Sequence, residues 1–238
     1  MPIKPPRLYL DHAATTPILP VAAAAAAQAM ALWANPSSPH SEGRAARAAL
    51  EEARRTIALA YGWRGETLFT SGASEALGIV LARATPPRRL ISSVEHDAVI
   101  RAAQTADVVP VDSSGVIDLA ALEAMLAGDA ALVAVQWANS ETGVRQPIPA
   151  IADVVHEAGG LLLVDAAQMP PGIDDGVAVQ ADFVTLSAHK RGGPPGIGAV
   201  LVRDLATLTP TGGQERGYRG GTENMPGALG YAAALGEP

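Results

Sequence analysis

The chain has 238 residues, 48% of them hydrophobic and 17% charged, and a net charge of −7. That length allows one large domain or two small ones around a sizeable core, and the apolar fraction excludes a disordered chain. The acidic balance argues against nucleic acid as a partner, which would need a basic face, and the absence of cysteine excludes disulfides, cysteine-bearing zinc sites and thiol catalysis by these residues.

Met1 to Asp11 is Pro-rich, carries Lys4 and Arg7, and has no apolar signal-peptide core. No apolar run approaches the roughly eighteen residues of a membrane-spanning helix, so a soluble, cytoplasmic protein handling small molecules is expected, with no membrane partner. Helix propensity alone explains the low-complexity run Ala22–Ala27. Ala45 to Tyr61 repeats apolar residues at helical spacing. Ser38 and Pro39 are its expected N-cap and first residue, and Glu51 and Arg55 an i,i+4 pair. Further helices are expected at Leu119–Leu126 and Ile148–Glu157.

Strands are expected at Thr67–Thr70, Leu90–Val94, Val108–Val111, Leu132–Trp137, Leu161–Asp165, Phe183–Ser187 and Ala199–Val202. Most are continuous Val/Ile/Leu runs, the mark of strands covered on both faces by helices in a parallel sheet. Alternation of strand and helix gives an α/β fold. Gly212 to Thr222, Gly-rich with two arginines, reads as a surface loop.

In open α/β sheets ligands bind beyond the carboxyl ends of the strands. Five of the seven strands deliver polar residues there: Ser71-Gly72-Ala73-Ser74-Glu75, Glu95-His96-Asp97, Asn139-Ser140-Glu141-Thr142-Gly143, Asp165-Ala166-Ala167-Gln168 and Ser187-Ala188-His189-Lys190. Ser71 to Ser74 runs from a strand into a helix, so its small residues and hydroxyls suit an anion, or else make an ordinary tight turn. Asp165, at a buried strand end, needs a cationic or N–H partner; it either meets a protonated ring nitrogen or caps the next helix. No G-x-x-x-x-G-K-[ST] accompanies it, so a P-loop is a poor reading. Lys190 precedes Gly192-Gly193-Pro194-Pro195-Gly196. It is either a solvated residue or a desolvated, nucleophilic amine able to form a Schiff base. His96 either stacks on an aromatic ligand or starts a helix. The five histidines show no metal-binding spacing, so no metal is expected.

The order of anion turn, His, Asn, Asp-x-x-Gln and Ser-x-His-Lys closely resembles the pyridoxal-phosphate enzymes of aminotransferase class V, nearest to cysteine desulfurases of the NifS/IscS type. Tyr9-Leu10-Asp11-His12-Ala13-Ala14-Thr15-Thr16-Pro17, Asn35-Pro36-Ser37-Ser38-Pro39-His40 and Arg219-Gly220-Gly221-Thr222-Glu223-Asn224 add to the resemblance, which runs through nearly the whole chain in family order. It implies a pyridoxal-phosphate-dependent transferase-like large domain: a mostly parallel seven-stranded sheet with helices on both faces, residues 1–40 included, without the C-terminal small domain. It also implies roles. Ala73, Ser74, Ser187 and His189 would hold the cofactor phosphate. Lys190 would bind the cofactor as a Schiff base and act as catalytic base. Asp165 would pair with the pyridine nitrogen, Gln168 with the phenolic oxygen, and His96 would stack on the ring. Asn139 and Ser140 would contact the cofactor, Thr222 would reach the phosphate of the other subunit of a homodimer, and Asn35 would lie near the substrate carboxylate.

The implied reaction turns L-cysteine into L-alanine and passes sulfur to an enzyme cysteine, then to a sulfur-acceptor protein, as in iron–sulfur cluster assembly. Other class V activities, a selenocysteine lyase or a transaminase, and a non-catalytic cofactor-binding remnant stand as alternatives. Three departures from the family pattern are visible. Ser140 stands where a second Asn is usual, Ser74 where Thr is commoner, and the catalytic cysteine and substrate-binding arginine of the small domain have no counterpart here.

Overall fold

The computed structural model describes residues 8–174, 176 and 178–236; Lys4 and Arg7 lie outside the described residues. In chain order the elements are α1 (Pro20–Ala31), α2 (Ser41–Ala60), β1 (Glu66–Thr70), α3 (Ala73–Arg83), β2 (Arg88–Ser92), α4 (Asp97–Ala102), β3 (Asp107–Val109), α5 (Leu119–Leu126), β4 (Ala131–Gln136), α6 (Ile148–Glu157), β5 (Leu161–Asp165), β6 (Phe183–Ser187), β7 (Gly198–Val202) and α7 (Met225–Leu235). The strands form one sheet in the order β1-β7-β6-β5-β4-β2-β3. All neighbouring pairs are parallel except those of β7, which runs antiparallel to both β1 and β6. This is the mostly parallel seven-stranded α/β sheet expected from the apolar runs.

Side chains along a strand alternate between faces, and the core divides accordingly. Val133 and Val135 of β4 join Ile57 of α2, Leu122 of α5, Ile148 and Ile151 of α6 and Tyr231 of α7. Leu132 and Ala134, the alternate residues, join Leu77 and Val80 of α3 and Val99 of α4 on the opposite face. Every residue of β4 is buried, which is why its sequence shows no polar alternation.

Three local expectations are corrected. The cap of α2 is His40, not Ser38: the His40 ring accepts from Gly43 N at 3.2 Å. Glu51 and Arg55 do not pair. Arg55 pairs with Glu52, while Glu51 approaches Arg54 at 3.4 Å, because Arg54 faces inward and draws the ladder one residue back. The stretch from Gly212 to Thr222 is also more than a surface loop. It folds a short helical turn, Glu215–Gly217, that sinks Glu215 to 3% exposure. There Arg54 donates through Nη1 and Nη2 to the two Glu215 oxygens at 2.6 and 3.1 Å, and Phe69 N donates to Oε2 at 2.8 Å. Glu215 and Arg216 take positive φ, +46° and +57°, a conformation unfavourable for L-residues that the buried pair holds in place.

Among the described residues no helix is long and apolar enough to cross a membrane, and no cluster of His, Asp and Glu is placed to hold a metal ion.

Candidate active site

The register of the sheet lines up the site. Gln136 at the end of β4 lies beside Asp165 at the end of β5, which lies beside Thr185 of β6, and Ser187 lies beside Gly198, where the reversed β7 begins. The carboxyl edge opens on a cleft of about 740 Å³ lined by residues at or after the ends of β1, β2, β4, β5 and β6, with Pro195 and Gly196 ahead of β7. Of the predicted residues, Ala73, Ser74, His96, Ser140, Asp165, Gln168, Ser187, His189 and Lys190 line it. Asn139, Asn35 and Thr222 do not. Asn139 Oδ1 accepts from Glu141 N and Thr142 N, and its amide donates to Val94 O, so its side chain is spent on the turn. Asn35 accepts from Ser37 N ahead of α2, and Thr222 is exposed.

One wall is the start of α3. Its N-cap is Gly72, and no side chain caps the helix. The first amides of this eleven-residue helix are therefore unsatisfied, and with the Ser71 and Ser74 hydroxyls they suit an anion. Gly198 lets this wall come close: a Cβ there would lie 2.6 Å from Gly72 Cα. Glu75 also stands at this wall. It accepts from Ser71 N, and Arg219 Nε, 2.9 Å away, neutralises it.

The opposite wall is the turn Ala188–Arg191 after β6, which carries His189 and Lys190. The motif Tyr9–Pro17 clasps it. Thr16 N donates to His189 O at 2.8 Å, Thr16 Oγ1 to Lys190 O at 3.2 Å, and Thr15 Oγ1 meets His189 Nδ1 at 3.1 Å. Gln168 Nε2 donates to Ala13 O at 2.9 Å, tying the same segment to the end of β5. Burial lowers the His189 pKa, and the Lys190 charge lowers it further, so the ring can use its second nitrogen toward the cleft. Burial also lowers the Lys190 pKa. Asp165 opposes that change, and Arg191 adds to it.

Asp165 is the floor. It is 7% exposed. Both of its hydrogen bonds fall on Oδ1, from Ala167 N at 2.9 Å and Thr185 Oγ1 at 3.2 Å, leaving Oδ2 without a donor among the described residues. Burial raises its pKa against those bonds and against the pull of Lys190 and His96. The residues directly after β5, Ala166 to Met169, form a turn, so Asp165 holds a turn rather than a helix start. His96 starts a helix, its Nδ1 accepting from Ala98 N to cap α4, and its ring lines the cleft.

Sequence reasoning passed over two residues here. Glu95 precedes His96 and is 7% exposed. Its Oε1 accepts from Ser92 Oγ and from Gln136 N at 2.9 Å, while Oε2 is buried without a partner. Burial pushes the carboxyl up to about 8 against those two bonds, with the Asp165 charge adding to the rise, which favours the protonated form at neutral pH. Gln136 lines the cleft and donates from Nε2 to Val94 O, bracing the loop that carries His96. The available signal was the polar end of an otherwise apolar β4 run.

The donor set suits pyridoxal phosphate. Uncapped helix amides, the Ser187 hydroxyl and a neutral imidazole can take a phosphate, a half-satisfied buried carboxylate can take a protonated ring nitrogen, and a desolvated amine can take an aldehyde.

The aminotransferase class-V family model matches residues 8–236. A cysteine desulfurase of Cereibacter sphaeroides is 39% identical over 96% of this chain and 64% of its own length. Among solved structures, the X-ray structure of a NifS-like protein from Rickettsia africae ESF-5 superposes with a TM-score of 0.87 at 33% identity, covering 95% of this chain and 67% of that one. SspA, solved in complex with cysteine, superposes with a TM-score of 0.84 at 32% identity, covering 96% of this chain and 72% of that one. The chain spans about 64% of the length of the first curated relatives it matches.

Proposed function

The chain belongs to the aminotransferase class-V family, and from that premise we propose that it forms the pyridoxal-phosphate-binding part of a cysteine desulfurase. The observation that carries this reading is that Asp165, at the end of β5, and Lys190, on the turn after the adjacent parallel β6, line one cleft with the uncapped start of α3. The cysteine bound by SspA supports L-cysteine as substrate.

Lys190 Nζ would hold the cofactor covalently. The Ala73 and Ser74 amides, Ser187 and His189 would hold its phosphate, Asp165 its ring nitrogen, Gln168 its phenolic oxygen and His96 its ring face, with Ser140 at the rim. When bound, the cofactor supplies an electron sink for charge released at the substrate Cα. Asp165 would hold a proton at the ring nitrogen, and the upward push on the Glu95 carboxyl would leave Asp165 as the charge that faces it. Lys190 Nζ would take the Cα proton of the substrate.

The thiol that accepts sulfur must come from outside these residues, since the sequence has no cysteine. Thr222, exposed here, would serve the cofactor of a second subunit, and Asn35 the substrate carboxylate. In the cytoplasm the sulfur would pass on to an acceptor protein for iron–sulfur cluster assembly.

Borohydride reduction of the chain with pyridoxal phosphate, followed by peptide mass mapping, should place the label on Lys190. A label on Lys4, or none with excess cofactor, would overturn the assignment. The 238-residue chain should form no alanine from L-cysteine in excess of a Lys190→Ala control; robust alanine production abolished by that substitution would mean that a free thiol, such as a second cysteine, takes the sulfur, and would overturn the need for a protein thiol.

A further inference from the structure

Arg191 follows Lys190 on the same short turn and is half-buried. Arg191 Nη2 donates to Ala167 O at 2.9 Å, the carbonyl between Asp165 and Gln168. Gly192, at φ +71°, ends the turn, and its carbonyl accepts from Leu19 N at 2.8 Å, so the turn is pinned on both sides. Tyr61, next after α2, and Tyr231 of α7 are buried within electrostatic reach of the guanidinium. Tyr61 Oη donates to Met169 O at 3.3 Å. The Arg191 side chain thus sits under the turn among neutral phenols and carbonyls, and among the described residues it takes part in no ion pair.

The charge count in this region is then uneven. The Lys190 amine faces one carboxylate, Asp165, and one further cation, Arg191, while burial pushes the Glu95 carboxyl toward its protonated form and the His189 ring toward its neutral one. Around the amine, one anion is therefore set against a second cation in a partly dehydrated space. A guanidinium does not give up its proton, whereas a buried ammonium does so readily. The amine is therefore the group that yields. We infer that Arg191 is a positioning residue for Lys190: it ties the Lys190 turn to the strand end that carries Asp165 and, as a fixed second cation, favours the free-base amine. An amine must be unprotonated to add to a carbonyl, and a neighbouring cation is one of the ways a lysine is prepared for that reaction. The inference deepens the reading of Lys190 as the residue that binds the cofactor, and rests on it for its purpose.

The sequence makes the test clean, because Lys4 and Lys190 are its only lysines. Reductive methylation with ¹³C-formaldehyde gives two lysine signals in the cofactor-free chain, and Lys4 serves as internal reference. Lys190 should titrate below Lys4. In Arg191→Gln, which keeps a donor for Ala167 O but loses the charge, the Lys190 titration should move up by about one pH unit, a tenfold change in protonation. Arg191→Leu should move it at least as far. If Leu prevents folding, Gln alone decides. An unchanged Lys190 titration in Arg191→Gln overturns the inference. Because the measurement uses no cofactor, it is independent of the borohydride mapping: failure of that mapping with a normal titration shift would refute the proposed function and leave the Arg191 effect standing.

Discussion

Glu215 and Asp165 are both carboxylates withdrawn from water, and the protein treats them in opposite ways. Glu215 receives both arms of Arg54 and a backbone amide from β1. Asp165 receives two hydrogen bonds on one oxygen and none on the other among the described residues. The first is closed from within and holds a loop in an unfavourable backbone conformation. The second is left open at the floor of a cleft. A buried charge that is fully paired does structural work, and one that is half paired is prepared for a ligand.

The largest effect expected from that contrast falls on the closed site. Glu215→Gln leaves Arg54 buried without its partner, which costs about 3–5 kcal/mol. Denaturant unfolding should show this loss, and the double replacement Arg54→Met with Glu215→Leu should restore most of it. A loss below about 1 kcal/mol in the single variant would mean that Arg54 is satisfied by Glu51 and Thr67 O alone.

At the open site the same kind of change should leave stability almost unaltered. Asp165→Asn removes a charge that burial already disfavours, so the cofactor-free chain should keep its unfolding midpoint or gain slightly. The loss should appear instead in function. A charge-assisted hydrogen bond of this kind is worth roughly 1.5–3 kcal/mol, so Cα proton exchange of an amino-acid substrate in D₂O should slow about 10- to 150-fold with cofactor still bound. Unchanged exchange would contradict the role proposed for Asp165.

Much of this molecule was legible because its strands are buried on both faces. Runs such as Leu132–Trp137 announce themselves without any pattern beyond being apolar, and the polar residues after them fall at one edge by topology. The closed carboxylate was not legible. Arg54 and Glu215 are 161 positions apart, and nothing local to Gly212–Thr222 shows that one of its acids is sunk into the core. Asn139 shows a related limit: an Asn after a strand suits a ligand and a turn equally, and here its side chain bonds within the turn. Glu95 was in view among the residues after β2, but a sequence does not reveal which member of Glu95-His96-Asp97 faces inward.

Glu95 gives the finest test of the comparison, being a third buried carboxyl and one that avoids charge altogether. Its folded-state pKa is raised to about 8 from the ordinary carboxylate range, so the native state holds a proton that the unfolded state releases. Stability from this group is full at low pH and declines as pH rises toward 8. Glu95→Gln lacks that decline. The stability difference between variant and parent should therefore rise in the variant's favour by up to about 1.4 kcal/mol per pH unit across that window. A difference that stays flat with pH would place Glu95 among the ionised acids.

The reversal of β7 also sets an order of events in time. β1 lies at the edge of the sheet with β7 as its single neighbour. On a growing polypeptide, residues 66–70 have no strand to pair with until residues 198–202 have been made. α3 hangs from β1, and its start is seated against Gly198 at the head of that late strand. The anion wall and the lysine turn therefore meet only when the last strand slides between β1 and β6. Until then both of those strands present an open edge to any other chain nearby, and a ribosome that stalled before β7 would release a chain with neither a finished sheet nor a cleft.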